Sequence, residues 1–300
     1  MSVPRVLALV GLTGTGKTEL AAEAARRTGA EIIGCDSMQV YRGLDVGTAK
    51  PSAELRGEIP HHLIDVVDPD DPMSAGRYAE LARGAARAIQ QRGRPIILCG
   101  GTGLYARAFA GGLIRGVTAE TELRDELEAL ETETLFAELR QCDREAAARI
   151  PENDRVRILR AVEVARLGGR SLSDQHREHQ FGDRPFELIW LALDMDRERL
   201  AERLELRIQK MFAGGLLDEL CSLRAAYAAD LKALQAIGYR EAGLHLDGAL
   251  SLEAAQAQAA TATRRYAKRQ RTWFRAEPGV RWLDAEDRET ALRAMLRALG

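Results

Sequence analysis

Gly11-Leu12-Thr13-Gly14-Thr15-Gly16-Lys17-Thr18 has the spacing of a loop that grips phosphate. Its glycines let backbone N–H groups turn inward around phosphate oxygens, Lys17 adds a positive charge, and Thr18 offers a hydroxyl to Mg²⁺. An apolar run at 6–10 precedes the loop and a helix-forming run at 19–26 follows it, so the helix presents its positive end to the same ligand. The segment reads as a holder of a diphosphate or triphosphate. A glycine-rich strand-to-helix turn without a ligand is the alternative. The loop does not say whether the phosphates belong to a nucleotide.

A second apolar run, 31–35, ends in Cys35-Asp36-Ser37. In a parallel sheet the carboxyl ends of the strands converge on one crevice, which brings Asp36 to the phosphate loop as a candidate general base, with a turn or helix-cap role or Mg²⁺ ligation as alternatives. Asp65, at the end of a third run, is a weaker candidate. The fourth run leads into Gly100-Gly101-Thr102-Gly103-Leu104-Tyr105 with no acid where an ordinary ATPase would place one. Thr102 and its glycines could bring a hydroxyl and backbone donors to a phosphate, or simply form a tight turn.

Cations supply the next signal. Residues 264–275 hold Arg264, Arg265, Lys268, Arg269, Arg271 and Arg275 interleaved with Tyr266, Trp273 and Phe274, and no acid. That mixture suits phosphate contact with base stacking; an amphipathic helix with a buried aromatic face would look the same. Arg155, Arg157 and Arg160 form a second cationic set at helical spacing. Arg203 and Arg207, four apart, share a helix face and could clamp an anion, the duller alternative being exposed pairs with Glu202 and Glu205. His61-His62 point to opposite faces of a strand, and His176 with His179 lacks partners at ligand spacing, so none is assigned metal chemistry.

These residues need a scaffold. With 300 residues, 46% hydrophobic and 29% charged, the chain reads as a globular protein with a sizeable core, and no apolar stretch approaches a bilayer span. The N-terminal segment lacks the marks of a targeting peptide, and Cys35, Cys99, Cys142 and Cys221 have no CxxC pairing, so cytoplasm and free thiols are expected. A formal net charge of −2 leaves attraction to a polyanion to local clusters. Short apolar runs at 6–10, 31–35, 62–67, 95–99, 188–193 and 280–283 suit strands buried on both faces. Helical patterns at 75–91, 197–211, 217–228 and 252–273 alternate with them. The expected fold is α/β, a doubly wound parallel sheet of the P-loop NTPase type. Between about 115 and 185 the strand signal gives way to helical patterns at 122–131, 135–142 and 155–167, with Gly111-Gly112 at the entry and Gly182-Asp183-Arg184-Pro185 at the exit. The expected division is a core at 1–114, an inserted all-helical domain at 115–185, and the rest of the core at 186–300.

The run Asp36-Ser37-Met38-Gln39-Val40-Tyr41-Arg42-Gly43-Leu44-Asp45-Val46-Gly47-Thr48-Ala49-Lys50-Pro51 closely resembles the signature of bacterial tRNA dimethylallyltransferases. The 61–65, 100–105, 157–164, 235–240 and 268–275 segments resemble that family's successive motifs in order, over essentially the whole chain. The phosphate loop departs from the family's habit at Leu12, Gly14 and Thr15, where Pro, Ala and Ser are usual.

The resemblance implies transfer of a dimethylallyl group from dimethylallyl diphosphate to N6 of the adenosine 3′ of the anticodon, with Mg²⁺ assisting, and a single copy of the chain sufficing. It makes Asp36, Thr102 and Lys17 the catalytic candidates, and assigns the diphosphate to the 11–18 loop with Arg207 and Arg203. It places contacts with the tRNA anticodon stem-loop at Asp36, Ser37, Met38, Gln39, Thr102 and Arg124; at Val156, Arg157, Ile158, Leu159 and Arg160; at Gln235, Ala236, Ile237, Gly238, Tyr239 and Arg240; and at Lys268, Arg269, Gln270, Arg271, Thr272, Trp273, Phe274 and Arg275. Two rivals use the same residues differently: a P-loop small-molecule kinase, which leaves the basic-aromatic helix unexplained, and a nucleotide-gated RNA-binding protein, which needs no base at Asp36.

Overall fold

The computed structural model describes residues 3–112, 121–168, 171–174 and 185–300. Six parallel strands form its sheet: β1 (Arg5–Gly11), β2 (Glu31–Cys35), β3 (His61–His62), β4 (Ile96–Gly100), β5 (Glu187–Asp194) and β6 (Arg281–Asp284), in the order β3-β2-β4-β1-β5-β6. Strand alternation sends Val6, Ala8 and Val10 into one apolar cluster and Leu7 and Leu9 into another, so β1 is buried on both faces, as its unbroken apolar run requires.

One face is covered by α1 (Lys17–Thr28) and the C-terminal helix (Arg288–Leu299). The other carries the helix Ala75–Gln91 and the 24-residue helix Leu252–Arg275, which supply Tyr78, Ala82, Ala255, Ala259 and Phe274 to the core. The register pairs Cys35 with Gly100 and Gly11 with Leu193, which aligns the carboxyl ends of β1, β2, β4 and β5.

The third apolar run does not form the expected strand over 62–67; only His61 and His62 pair with β2. Leu63 (φ 62°) and Asp65 (φ 55°) sit in the left-handed region, which breaks extended backbone. The chain turns instead to hydrogen-bond with residues 39–42, Val66 N–H donating to the Val40 carbonyl at 2.8 Å. Asp65 is thereby removed from chemistry, its carboxylate held by Lys50 and Arg56.

Two compact units divide the chain: residues up to Ala110 together with Pro185–Gly300, and Gly111–Arg184. In the second, helices Thr121–Glu128, Thr132–Cys142 and Arg155–Gly168 close around Leu127, Leu135, Phe136, Leu139, Ile158, Leu159 and Val162. The sequence boundary at 114/115, the exit residues Gly182, Asp183 and Arg184, and His176 with His179 lie outside the described residues. Among the described residues the four cysteines are free, and no helix is long and apolar enough to cross a membrane.

Candidate active site

The carboxyl ends of β1, β2 and β4 open on a pocket of about 670 Å³ lined by Thr13, Gly16, Lys17, Thr18, Asp36 and Arg207. A second cavity of about 320 Å³ shares Thr13, Asp36 and Arg207 with it and extends past Ser37 and Met38 to Gln235, Ala236, Ile237, Tyr266 and Arg269. Asp36 is therefore common to a cation-rich pocket and a cavity walled by aromatic, apolar and amide groups.

The phosphate loop is held open by its own backbone. Gly14 (φ 81°) and Gly16 (φ 83°) take conformations that suit glycine, and the first amides of α1, which have no side-chain cap, belong to residues that line the pocket. Leu12 N–H bonds the Leu193 carbonyl at 3.3 Å, and Thr15 Oγ1 donates to the Leu12 carbonyl at 2.8 Å. The unusual loop residues have local reasons. Leu12 is buried against Met195, Leu200 and Leu204, and a Cβ on Gly14 would lie 2.7 Å from Leu204 Cδ2. Lys17 folds back, its ammonium donating to the carbonyls of Gly11 and Leu12. Burial brings its pKa down to about 8; the Arg207 charge pushes the same way, against the opposite pull of Cys99 and Asp36.

Arg203 and Arg207 stand on the helix Arg197–Ala213, and both line the larger pocket. Glu202 pairs with Arg199 at 3.7 Å, and among the described residues neither Arg203 nor Arg207 has an ion-pair partner. Burial lowers the pKa of Arg207, with Asp36 opposing, so its guanidinium stands partly desolvated at the pocket wall. The anion-clamp reading fits; the exposed-pair reading does not. Lys210, on the same helix face, also lines the pocket. Sequence reasoning missed it, although it extends the i, i+4 pattern of Arg203 and Arg207 by three residues.

Asp36 Oδ1 accepts the backbone N–H of Met38 at 2.8 Å and of Gln39 at 3.4 Å, forming the turn that aims the carboxylate. The cap role and the pocket role thus coexist in one side chain. Thr102 buttresses the same turn: its N–H donates to the Cys35 carbonyl at 3.1 Å and its Oγ1 accepts the Ser37 N–H at 3.0 Å. The glycines beside it serve packing, since a side chain on Gly100 would overlap the Cys35 backbone, one on Gly101 the Gln270 amide and one on Gly103 the Trp273 indole. Gln39 lines the larger pocket and its Nε2 donates to the carbonyls of Thr48 (3.1 Å) and Ala49 (3.3 Å).

The basic helix carries its cations on one face and buried residues on another. Arg264, Arg265, Lys268, Arg269, Thr272 and Arg275 are exposed, while Gln270 and Phe274 are buried. Phe274 packs in the core, whereas Gln270, although buried, lines the larger pocket. Arg271 binds Asp194 Oδ1 through Nη2 (2.6 Å) and Nε (3.0 Å), and half-buried Trp273 packs under the Arg107 guanidinium, 4.4 Å from its ring centroid. Tyr266, half-buried on this helix, lines the smaller cavity beneath Arg269, whose guanidinium lies 5.6 Å from the ring; its burial and the Asp36 charge raise its pKa. The sequence offered it only as one of three aromatics in the basic segment, because helical periodicity does not say which aromatic meets a cavity.

In segment 235–240, Gln235, Ala236 and Ile237 line the smaller cavity and Arg240 is exposed beside Glu241. Gly238 and Tyr239 are buried, and Tyr239 also lines that cavity from within. In the helical unit Val156 and Arg157 are exposed, but Ile158 and Leu159 turn into the unit's core and cannot offer side chains to a ligand. Arg124 and Arg160 both bond the buried Glu163 carboxylate, at 3.4 and 2.6 Å, and Arg155 bonds Thr132 Oγ1 at 3.0 Å.

A parallel sheet with a glycine-rich loop after β1, a strand-end carboxylate and, among the described residues, two arginines without ion-pair partners defines a protein of the P-loop class. The chain belongs to the IPP transferase family, whose model matches residues 39–277. It is 43% identical over 288 residues to the tRNA dimethylallyltransferase of Geobacter sulfurreducens (94% of this chain, 93% of the relative) and 47% identical over 283 residues to that of Anaeromyxobacter dehalogenans (93% and 92%). Among solved structures, the full-length tRNA isopentenylpyrophosphate transferase of Bacillus halodurans superposes with a TM-score of 0.73 at 37% identity, covering 98% of this chain and 96% of that one. A eukaryotic dimethylallyltransferase captured acting on tRNA gives 0.83 at 27% identity, covering 95% and 74%.

Proposed function

We propose that this transferase moves a dimethylallyl group from dimethylallyl diphosphate to N6 of the adenosine immediately 3′ of the anticodon, in tRNAs that read codons beginning with U, and acts as a single copy. The observation that carries this reading is the meeting of two unlike cavities at Asp36. One is lined by Lys17, Arg203, Arg207 and the loop amides, as a leaving diphosphate needs. The other, walled by Tyr266, Ile237 and the Gln235 amide, suits a flat base turned out of its stack.

In this scheme the N6–carbon bond forms as the bond from the allylic carbon to the diphosphate oxygen breaks. The cations and amides of the larger pocket oppose the charge that grows on the departing diphosphate. Asp36 orients the N6 amine and accepts its proton; because that amine is a poor nucleophile, alignment counts as much as basicity. The turn bonds from Met38, Gln39 and the Thr102–Ser37 contact hold that alignment.

The donor set suits Mg²⁺. Thr18 and Asp36 bring oxygen atoms to the pocket, and no group of three or more His, Cys, Asp or Glu gathers among the described residues, a pattern that fits an ion held largely by phosphate and water. Thr18 would hold it, and when bound it spreads the leaving group's charge.

The test is direct. Purified protein with Mg²⁺ should move label from dimethylallyl diphosphate onto tRNA without ATP. A strict ATP requirement, or a phosphorylated product, would establish the kinase instead.

A further inference from the structure

Glu219, on the helix Leu216–Ala226, sits between the two walls of the smaller cavity and binds both. On one side its carboxylate accepts three consecutive backbone amides, Oε2 from Asp45 (3.0 Å) and Val46 (2.8 Å) and Oε1 from Gly47 (3.3 Å). On the other, Oε1 accepts the Tyr239 hydroxyl at 2.5 Å. Gly47 and Thr48 line the cavity from the first wall, and Gln235, Ala236, Ile237 and Tyr239 from the second.

A row of three amides forms an anion-binding nest, and a carboxylate that fills it makes charge-assisted bonds stronger than neutral ones. Two independent features make the span exacting. The Tyr239 ring lies so close to the Gly47 backbone that a Cβ there would overlap it, although Gly47 has no left-handed φ, so space alone excludes a side chain. The clamped loop also continues into the Thr48 and Ala49 carbonyls that hold Gln39, which in turn donates its backbone N–H to Asp36.

We propose that Glu219 is a positioning residue: by holding loop 45–47 and Tyr239 at once, it sets the width of the cleft that admits the acceptor base and the pose of the Asp36 turn. This rests on the transferase reading above. Val46 and Thr48 of the clamped loop also line the larger pocket, but Glu219 makes no hydrogen bond to the phosphate loop or its cations, so its loss falls more heavily on the acceptor side than on the donor side.

The experiment compares wild type with Glu219→Gln, Gly47→Ala and Tyr239→Phe, measuring kcat and KM separately for tRNA and for dimethylallyl diphosphate, with thermal melting alongside. Glu219→Gln keeps the volume but places an amide N–H₂ against N–H or O–H donors. It should lower kcat/KM for tRNA by about 10- to 100-fold while KM for the diphosphate changes less than about twofold, and Gly47→Ala should reproduce that split. Tyr239→Phe, which leaves the loop amides satisfied, should give the same pattern more weakly. Unchanged tRNA kinetics in Glu219→Gln, or equal losses toward both substrates, would overturn the proposal. Should Glu219→Gln fail to fold, Gly47→Ala and Tyr239→Phe decide by the same criterion. A wild-type protein that transfers no prenyl group would instead overturn the function itself.

Discussion

Thr13, in the phosphate loop, donates its backbone N–H to Gln270 Oε1 at 2.8 Å across 257 positions of the chain. The same amide completes itself through Nε2, which donates to the Gly101 carbonyl at 3.0 Å. One buried side chain of the basic helix therefore ties the β1 loop to the β4 loop.

Gln270→Leu should lower stability by about 1–3 kcal/mol, because it leaves the buried Gly101 carbonyl and the half-buried Thr13 N–H without this partner. It should also raise KM for the diphosphate more than KM for tRNA. Denaturant unfolding and two-substrate kinetics check this; a loss confined to tRNA binding would return Gln270 to the contact residues.

Asp36 both caps a turn through Oδ1 and faces the pocket, and Asn retains the first role but not the second. Asp36→Asn should therefore cut kcat by about 10²-fold or more with little change in melting temperature or tRNA affinity. Single-turnover transfer with tRNA titration measures it. Near-normal turnover would remove the base from the mechanism.

Lys17 has a folded-state pKa lowered by burial from 10.5 to about 8. Only its charged form attracts a diphosphate, so donor affinity should weaken as pH rises through about 8, and a Lys17→Met variant should lose that dependence. Stability runs the other way. Between pH 8 and 10.5 the unfolded chain holds the proton that the folded Lys17 has released, so this residue's contribution to unfolding free energy rises with pH over that window. Donor titrations and melting curves of both proteins from about pH 7 to about 10.5 test the two signs together.

The exposed cations Lys268 and Arg269 differ from Arg271, which is bound to Asp194. Neutralising Lys268 and Arg269 should weaken tRNA binding and flatten its salt dependence, by up to about 0.7–0.9 in logarithmic slope for each phosphate no longer neutralised. Arg271→Ala should cost stability through the unpaired Asp194 and change the salt slope less. Filter binding across a salt series discriminates them.

Sequence legibility differed from element to element for physical reasons. The strands β1, β2, β4 and β5 were visible because burial on both faces demands unbroken apolar runs. The third strand was overread, because His62-Leu63-Ile64 is as apolar as a strand while its backbone turns left-handed at Leu63 and Asp65, where Lys50 and Arg56 hold the carboxylate.

What the residues alone determined is the chemistry available: a phosphate loop, a strand-end Asp36, a paired Arg203 and Arg207, and cations interleaved with aromatics, each a local pattern with a local cause. Tertiary structure decided which of them face the cavities. In the basic helix it turned Lys268 and Arg269 outward, bound Arg271 to Asp194, set Gln270 between two loops and packed Phe274 in the core; in the helical unit it buried Ile158 and Leu159. It also produced the Glu219 clamp, invisible in sequence because a glutamate on an amphipathic helix is commonplace until distant amides and a hydroxyl converge on it. Spacing along the chain encodes a face of a helix, but which neighbour meets that face depends on contacts between residues far apart in sequence.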